Sequence, residues 1–159
     1  MSTLEAAVSY VRRGWSTIPV GGDKRPLLKR WAEYQKRLPA EAELQDWYSR
    51  WPNGGVAIVT GRVSGLVVLD VDPRNGGEES LQGLLDSGEI TQAELDNSLC
   101  KVRTQSGGLH YYFLYPEGMT VKMKPGFRPG LDLKSDGGYC VAPPTVVPGT
   151  DRGWVWVTP

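Results

Sequence analysis

Two aspartates one residue apart, Asp70 and Asp72, close the apolar run Leu66-Val67-Val68-Leu69 in the stretch GLVVLDVDPRNGG. Side chains alternate along a strand, so residues two apart share a face and sit about 6–7 Å from each other. Two carboxylates at the end of a buried strand repel one another and resist losing water. A divalent cation between them removes both penalties, and carboxylate oxygens are the ligands that Mg2+ and Mn2+ prefer. The pair also has a plainer reading, in which Asp72-Pro73 opens a turn and Asp70 caps a neighbouring element. His110, the one histidine, directly follows Ser106-Gly107-Gly108-Leu109. A glycine turn with free N–H groups, a hydroxyl and an imidazole can hold phosphate oxygens, and it is equally what a tight hairpin needs. A third carboxylate, Asp132 in GLDLKSDGG, ends another short strand with Lys134 two residues on and on the same face. Three carboxylates allow two metal ions to be held together, and a lysine beside them offsets phosphate charge. Asp136 reads as a turn residue before Gly137-Gly138. A single histidine excludes sites that need two imidazoles, and the absence of a G-x-S-x-G elbow speaks against a Ser-His-Asp hydrolase.

Positioning these groups requires a sheet. Helical spacing of Leu4, Ala7, Val8 and Val11 predicts a helix over Leu4 to Arg13, with Thr3 as cap and Gly14 as stop. A second helix opens at Pro39-Ala40-Glu41 and runs to about Trp51, its stripe of Leu44, Trp47, Tyr48 and Trp51 reading as core. Between them lie a short strand, WSTIPV, and a basic loop, GGDKRPLLKRW. GVAIVTG and GLVVLDV read as buried strands, followed by a helix from Glu79 to about Leu85 and a weaker one from Thr91 to Asp96. CKVRT, the turn QSGG and LHYYFLY form a hairpin. GLDLKSDGGYCVAPPT holds two more strands, and WVWV is the last. The chain stops directly after it, which reads as an excised domain of a longer protein.

The length of 159 residues suits one domain, and 40% apolar residues suit a globular chain. No apolar stretch approaches the roughly 18 residues of a membrane span, and the N-terminus has no signal-peptide pattern. Cys100 and Cys140 are too few for a disulfide framework or a zinc knuckle, so a reduced, cytoplasmic protein is expected. Net charge is zero but unevenly spread. Eight basic residues between Arg12 and Arg37 and six between Lys101 and Lys134 flank an acidic segment, Glu78 to Asp96, that has none. A fold that joins the basic segments would hold a polyanion, although solvated surface explains them equally well.

GWSTIPV, DKRPLLKRW, GVAIVTG, GLVVLDVD, TQSGGLHYYF and GLDLKSDGGYCVAPPT occur in the order seen in bifunctional DNA primase/polymerase (prim-pol) domains of the archaeo-eukaryotic primase superfamily. The chain resembles this family from about Leu4 to Trp156. The resemblance implies an α/β (α+β) fold with an RNA-recognition-motif-related central sheet packed on an N-terminal α/β layer, the active-site cleft between them. It implies a template-directed nucleotidyltransferase spanning residues 1–159, often encoded by plasmids, phages and integrated elements. Asp70, Asp72 and Asp132 would hold the catalytic Mg2+ or Mn2+, and Ser106 and His110 would bind the triphosphate of an NTP or dNTP on a turn shaped by Gly107 and Gly108. Lys134 stands where many relatives have arginine, which keeps the charge and loses the bidentate fork. Lys24 and Lys29 match basic positions of the early loop and would touch nucleotide or DNA template. Some relatives carry a zinc-binding insertion, for which this chain lacks the cysteines. A helical region and a helicase commonly follow the domain and are its expected partners on one polypeptide, so the domain alone is expected to extend primers better than it starts them.

Two other enzymes could use the same residues. LDLK has the D-x-K spacing of several metal-dependent nucleases, and Asp70-x-Asp72 suits a glycosyltransferase that binds a nucleotide sugar through Mn2+. The G-G-x-H turn has no evident task in the first, and nothing joins Asp132 to His110 in the second. A non-catalytic nucleotide- or nucleic-acid-binding module is the reading from a different class.

Overall fold

The computed structural model describes residues 1–157. The chain runs α1 (Thr3–Arg12), β1 (Thr17–Val20), α2 (Glu41–Arg50), β2 (Gly55–Val59), β3 (Leu66–Val71), α3 (Gly77–Ser87), α4 (Gln92–Asp96), β4 (Cys100–Arg103), β5 (Leu109–Leu114), β6 (Lys124–Arg128), β7 (Leu131–Lys134), β8 (Tyr139–Ala142) and β9 (Val155–Val157). Short 3-10 turns occupy Ala32–Gln35 and Pro73–Asn75.

The strands form a three-stranded sheet, β1-β2-β8, and a six-stranded sheet, β6-β7-β3-β5-β4-β9, paired antiparallel throughout. The fold is thus α+β with antiparallel sheets and few helices. Among the described residues no helix is long and apolar enough to cross a membrane.

Alternation along β3 explains how the two sheets meet. Leu66 and Val68 enter one core, shared by α1, α2, the small sheet and one face of the large sheet. Leu69 and Val71 point the other way, into a second core closed by Leu84 of α3 and Leu95 of α4. A strand buried on both faces reads as a continuous apolar run, as this one does. The same alternation places Asp70 on the face between the sheets, just where the apolar core ends. That core is dense in aromatics: Tyr112 stands edge-on to Trp156 at 5.6 Å between ring centroids, and Trp15 lies 5.9 Å from Tyr112. Such pairs add about 0.5–1.5 kcal/mol beyond the area they bury. Leu44, Trp47 and Tyr48 of α2 are buried as the helical stripe requires, while Trp51 lies at the margin.

Local chemistry sets the helix starts differently from the expected positions. Ser2, not Thr3, caps α1, its hydroxyl accepting from the Glu5 N–H at 3.1 Å. The third helix begins at Gly77 rather than Glu79, because Asp72 caps the 3-10 turn that leads into it. A Cβ on Gly77 would lie 2.6 Å from the Asp72 carbonyl oxygen and 2.7 Å from that of Gly130, so only glycine allows the turns after β3 and before β7 to touch there. β6 was not expected, since KPGFR has neither alternation nor an apolar face. It exists as an edge strand on β7, with a bulge between Lys124 and Arg128.

Candidate active site

Register builds the site. β3 lies between β5 and β7, and Asp70 pairs directly with His110 on one side and Asp132 on the other. Directly opposed residues share a face, with Cβ atoms about 4.5–5.5 Å apart. Asp132, Asp70 and His110 therefore form a row across the sheet. Their side chains differ in what they touch.

His110 is buried, and its Nε2 lies 3.4 Å from the Asp70 carboxylate. Burial works against the imidazolium, but Asp70 and the nearby Cys140 sulfur outweigh it and lift the His110 pKa to about 9. Burial likewise opposes the Asp70 carboxylate, yet His110 and then Lys134 draw its pKa below the ordinary value. Both shifts favour the ionic form of the pair, and among the described residues Nδ1 of the ring is buried without a hydrogen-bond partner.

Asp72 serves its own turn. Its Oδ1 accepts from the Arg74 backbone N–H at 2.9 Å and from Arg74 Nε at 3.2 Å, and Oδ2 accepts from Asn75 Nδ2 at 2.8 Å. The Arg74 side chain is the main cause that lowers the Asp72 pKa. The turn reading of Asp72 is thus realised without moving its carboxylate away from the site. Asp132 accepts at Oδ1 from the Gly126 N–H, 2.6 Å away in the β6 bulge.

The turn between β4 and β5 is held by Thr104, whose Oγ1 accepts from the Gly108 N–H at 3.0 Å and lies 3.2 Å from Ser106 Oγ. Gly107 has φ of +84°, and a Cβ on Gly108 would lie 2.4 Å from the Val71 carbonyl oxygen. Both glycines are there for backbone reasons, and they border a separate recess beside α3. Lys24 is the one non-glycine residue with positive φ among the described residues, at 67°, and Tyr139 donates its hydroxyl proton to the Lys24 carbonyl at 2.8 Å. A strained residue kept in place by a side chain from another strand is common where a loop carries function.

A cavity of about 330 Å³ opens between the sheets and brings together Lys24, Asp70, Asp72, Ser106, His110 and Lys134. Of the residues expected from sequence, Lys29, Gly107, Gly108 and Asp132 do not border it. Lys29 belongs to an exposed loop whose course no periodicity fixes. Arg74 and Tyr139 do border it and were missed. Arg74 was in plain view two residues after Asp72, but its side chain could only be placed once the 3-10 turn was known.

Among the described residues no three histidine, cysteine, aspartate or glutamate side chains converge on a metal position. Asp72 is bonded to Arg74 and Asn75, and Asp132 to the Gly126 N–H. The donor set nevertheless fits a hard cation: three carboxylates at one end of one sheet, two of them in direct register, with only an imidazole partnering Asp70.

Asp70, Asp72 and His110 thus share a cleft with Ser106 and two lysines on an antiparallel α+β frame. The chain belongs to the prim-pol family: the profile of the bifunctional DNA primase/polymerase N-terminal domain matches residues 7–159. No curated protein matches the sequence. Membership makes this a primase/polymerase-type nucleotidyltransferase domain, with DNA and nucleotides as substrates.

Proposed function

We propose that the domain extends a DNA primer on a template by a two-metal reaction, in the replication of a plasmid, phage or integrated element and beside a helicase region of the same polypeptide. The observation that carries this reading is the row Asp132–Asp70–His110, in register across three strands, with Asp70 and His110 at a cavity that Ser106, Lys24 and Lys134 also border. The central place of β3 between β5 and β7 also supports a relation of the large sheet to the RNA-recognition motif.

Asp70, Asp72 and Asp132 would hold Mg2+ or Mn2+, which when bound supplies charge neutralisation at the attacking oxygen and the leaving group. Asp132 joins the set by exchanging its bond to Gly126. His110, favoured in its cationic form by Asp70, would donate a hydrogen bond from a ring N–H to a triphosphate oxygen. The Ser106 hydroxyl binds another, while Lys24 and Lys134 offset the remaining charge. The primer 3′-hydroxyl oxygen attacks the α-phosphorus and gives its proton to water, the bond from the α-phosphorus to the α–β bridging oxygen breaks, and pyrophosphate leaves with that bond's electron pair.

Primer extension on a labelled primer-template with Mg2+ or Mn2+, using dNTPs, NTPs and a lane without nucleotide, tests this. Metal-dependent elongation by the wild type that Asp70→Ala and Asp72→Ala abolish is the expected result. Primer shortening in the lane without nucleotide would turn the reading to a nuclease. No elongation by the wild type with either metal would overturn it for this domain.

A further inference from the structure

Arg74 lies in the cavity with Asp70, Asp72 and His110, and among the described residues its side chain bonds to Asp72 alone. The contacts are long, 3.2 Å from Nε and 3.4 Å from Nη2, against roughly 2.7–2.9 Å for a strong charge-assisted bond. With 61% of the side chain exposed, this is a weak pair across two residues, needing no help from the rest of the fold. Among the described residues most of the guanidinium's five donors have no partner, and Arg74 lines a space whose other basic groups are Lys24, Lys134 and the buried His110. None of those others offers a planar fork. Lys134 in particular is a point charge, whereas phosphate oxygens are matched two at a time by arginine.

We propose that Arg74 is a triphosphate-binding residue, which rests on Asp72 in the free domain and passes to phosphate oxygens when a divalent cation takes the Asp72 carboxylate. The exchange leaves no charge unpaired. Asp72 trades one cation for another, and Arg74 trades a carboxylate for a phosphate. It also supplies, from the turn after β3, the fork that β7 lacks at Lys134. This assignment rests on the reading of the cavity as the nucleotide site.

The exchange has a signature that a purely structural role lacks: Arg74 opposes the cation and favours the nucleotide. Removing it should move the two affinities in opposite directions. Mn2+ binding without nucleotide would be followed by the loss of the free-ion paramagnetic signal. Binding of dATP, ATP and AMP in the presence of Mn2+ would be followed by calorimetry. Arg74→Ala is expected to bind Mn2+ a few-fold more tightly and the triphosphates about tenfold or more weakly, with AMP changed less than about twofold. Arg74→Lys should recover part of the triphosphate affinity, and thermal unfolding of both variants should match the wild type. Unchanged triphosphate affinity in Arg74→Ala, an equal loss for AMP, or Mn2+ and nucleotide weakening together would each overturn the role. Failure of the underlying reading looks different: the wild type itself would bind no triphosphate, and both ideas would fall.

Discussion

Two charged clusters sit on this domain, and they are built in opposite ways. Near α2, Glu43 accepts from Arg37 at 2.7 and 3.0 Å, from the Ala40 backbone N–H at 2.9 Å and from the Tyr34 hydroxyl, while Arg37 also bonds to Glu33 at 2.6 Å. Its bonds are short and its acceptors filled. In the cleft, Asp72 and Asp132 are held by neighbouring turns at 2.6 to 2.9 Å, but the ion pairs are looser: Asp70–His110 is 3.4 Å, the Arg74 side-chain contacts are 3.2 and 3.4 Å, and among the described residues a ring nitrogen is buried without a partner. The first cluster fastens the loop before α2 to the helix start. The second leaves its ion pairs slack around a space, which is what a ligand site requires. Charge density alone would not separate the two; the tightness of the ion pairs does.

The sharpest way to break this contrast is at Asp70. Asp70→Asn, which keeps an oxygen for His110, should reduce primer extension by about 100-fold or more while leaving the unfolding temperature near that of the wild type. An equal loss of stability would mean that the cleft is a fastening like the other. His110→Ala comes next: losing a bond to a charged oxygen of about 1.5–3 kcal/mol should cost roughly 10–100-fold in kcat/KM for the incoming nucleotide, measured by steady-state extension. Ser106→Ala should cost about tenfold in the same assay, the lower end of that range, since its hydroxyl is neutral and the charge lies on the phosphate alone.

Glu43→Gln should leave extension unchanged and lower stability instead. The Arg37 side chain is the main reason that the Glu43 pKa falls from 4.5 to about 2. A carboxylate depressed in the folded state contributes stability above its unfolded pKa and loses it as pH falls through the folded value. Thermal unfolding between pH 5 and pH 2 should therefore show an acid-side loss that is smaller in Glu43→Gln, where only the other depressed carboxylates, Asp70 and Asp72 among them, still contribute. A matching acid-side loss in both proteins would show that this cluster is not the tighter one.

Much of the cleft was legible because it obeys alternation. Asp70 follows Leu66 and Val68 at even spacing, so its face was fixed once β3 was read as a buried strand, and the single histidine fell on the neighbouring strand of a visible hairpin. The parts that escaped are set by the backbone or by distant residues. The N–H that holds Asp132 belongs to Gly126, in a bulge of a strand with no apolar pattern. Lys24 is placed by Tyr139, over a hundred positions along the chain. Asp136 was read as a turn former, and it also accepts from the Arg62 N–H and the Tyr115 hydroxyl, both at 2.9 Å, tying the turn after β7 to two distant segments. No local pattern announces such pairings.

The meeting of Gly77 with Gly130 bears on speed. The Asp72 N–H donates to the Gly130 carbonyl at 2.8 Å, and the Gly77 N–H donates to the Asp72 carbonyl at 2.9 Å, so the turns on either side of the acidic row are riveted main chain to main chain. Asp72 and Asp132 can then change partners only by turning about their own side-chain bonds, a motion of picoseconds to nanoseconds rather than the microseconds or longer of loop rearrangement. Capture of a cation should accordingly keep pace with its arrival, and rapid mixing with Mn2+ should show one phase whose rate rises in proportion to concentration, with no slow step behind it.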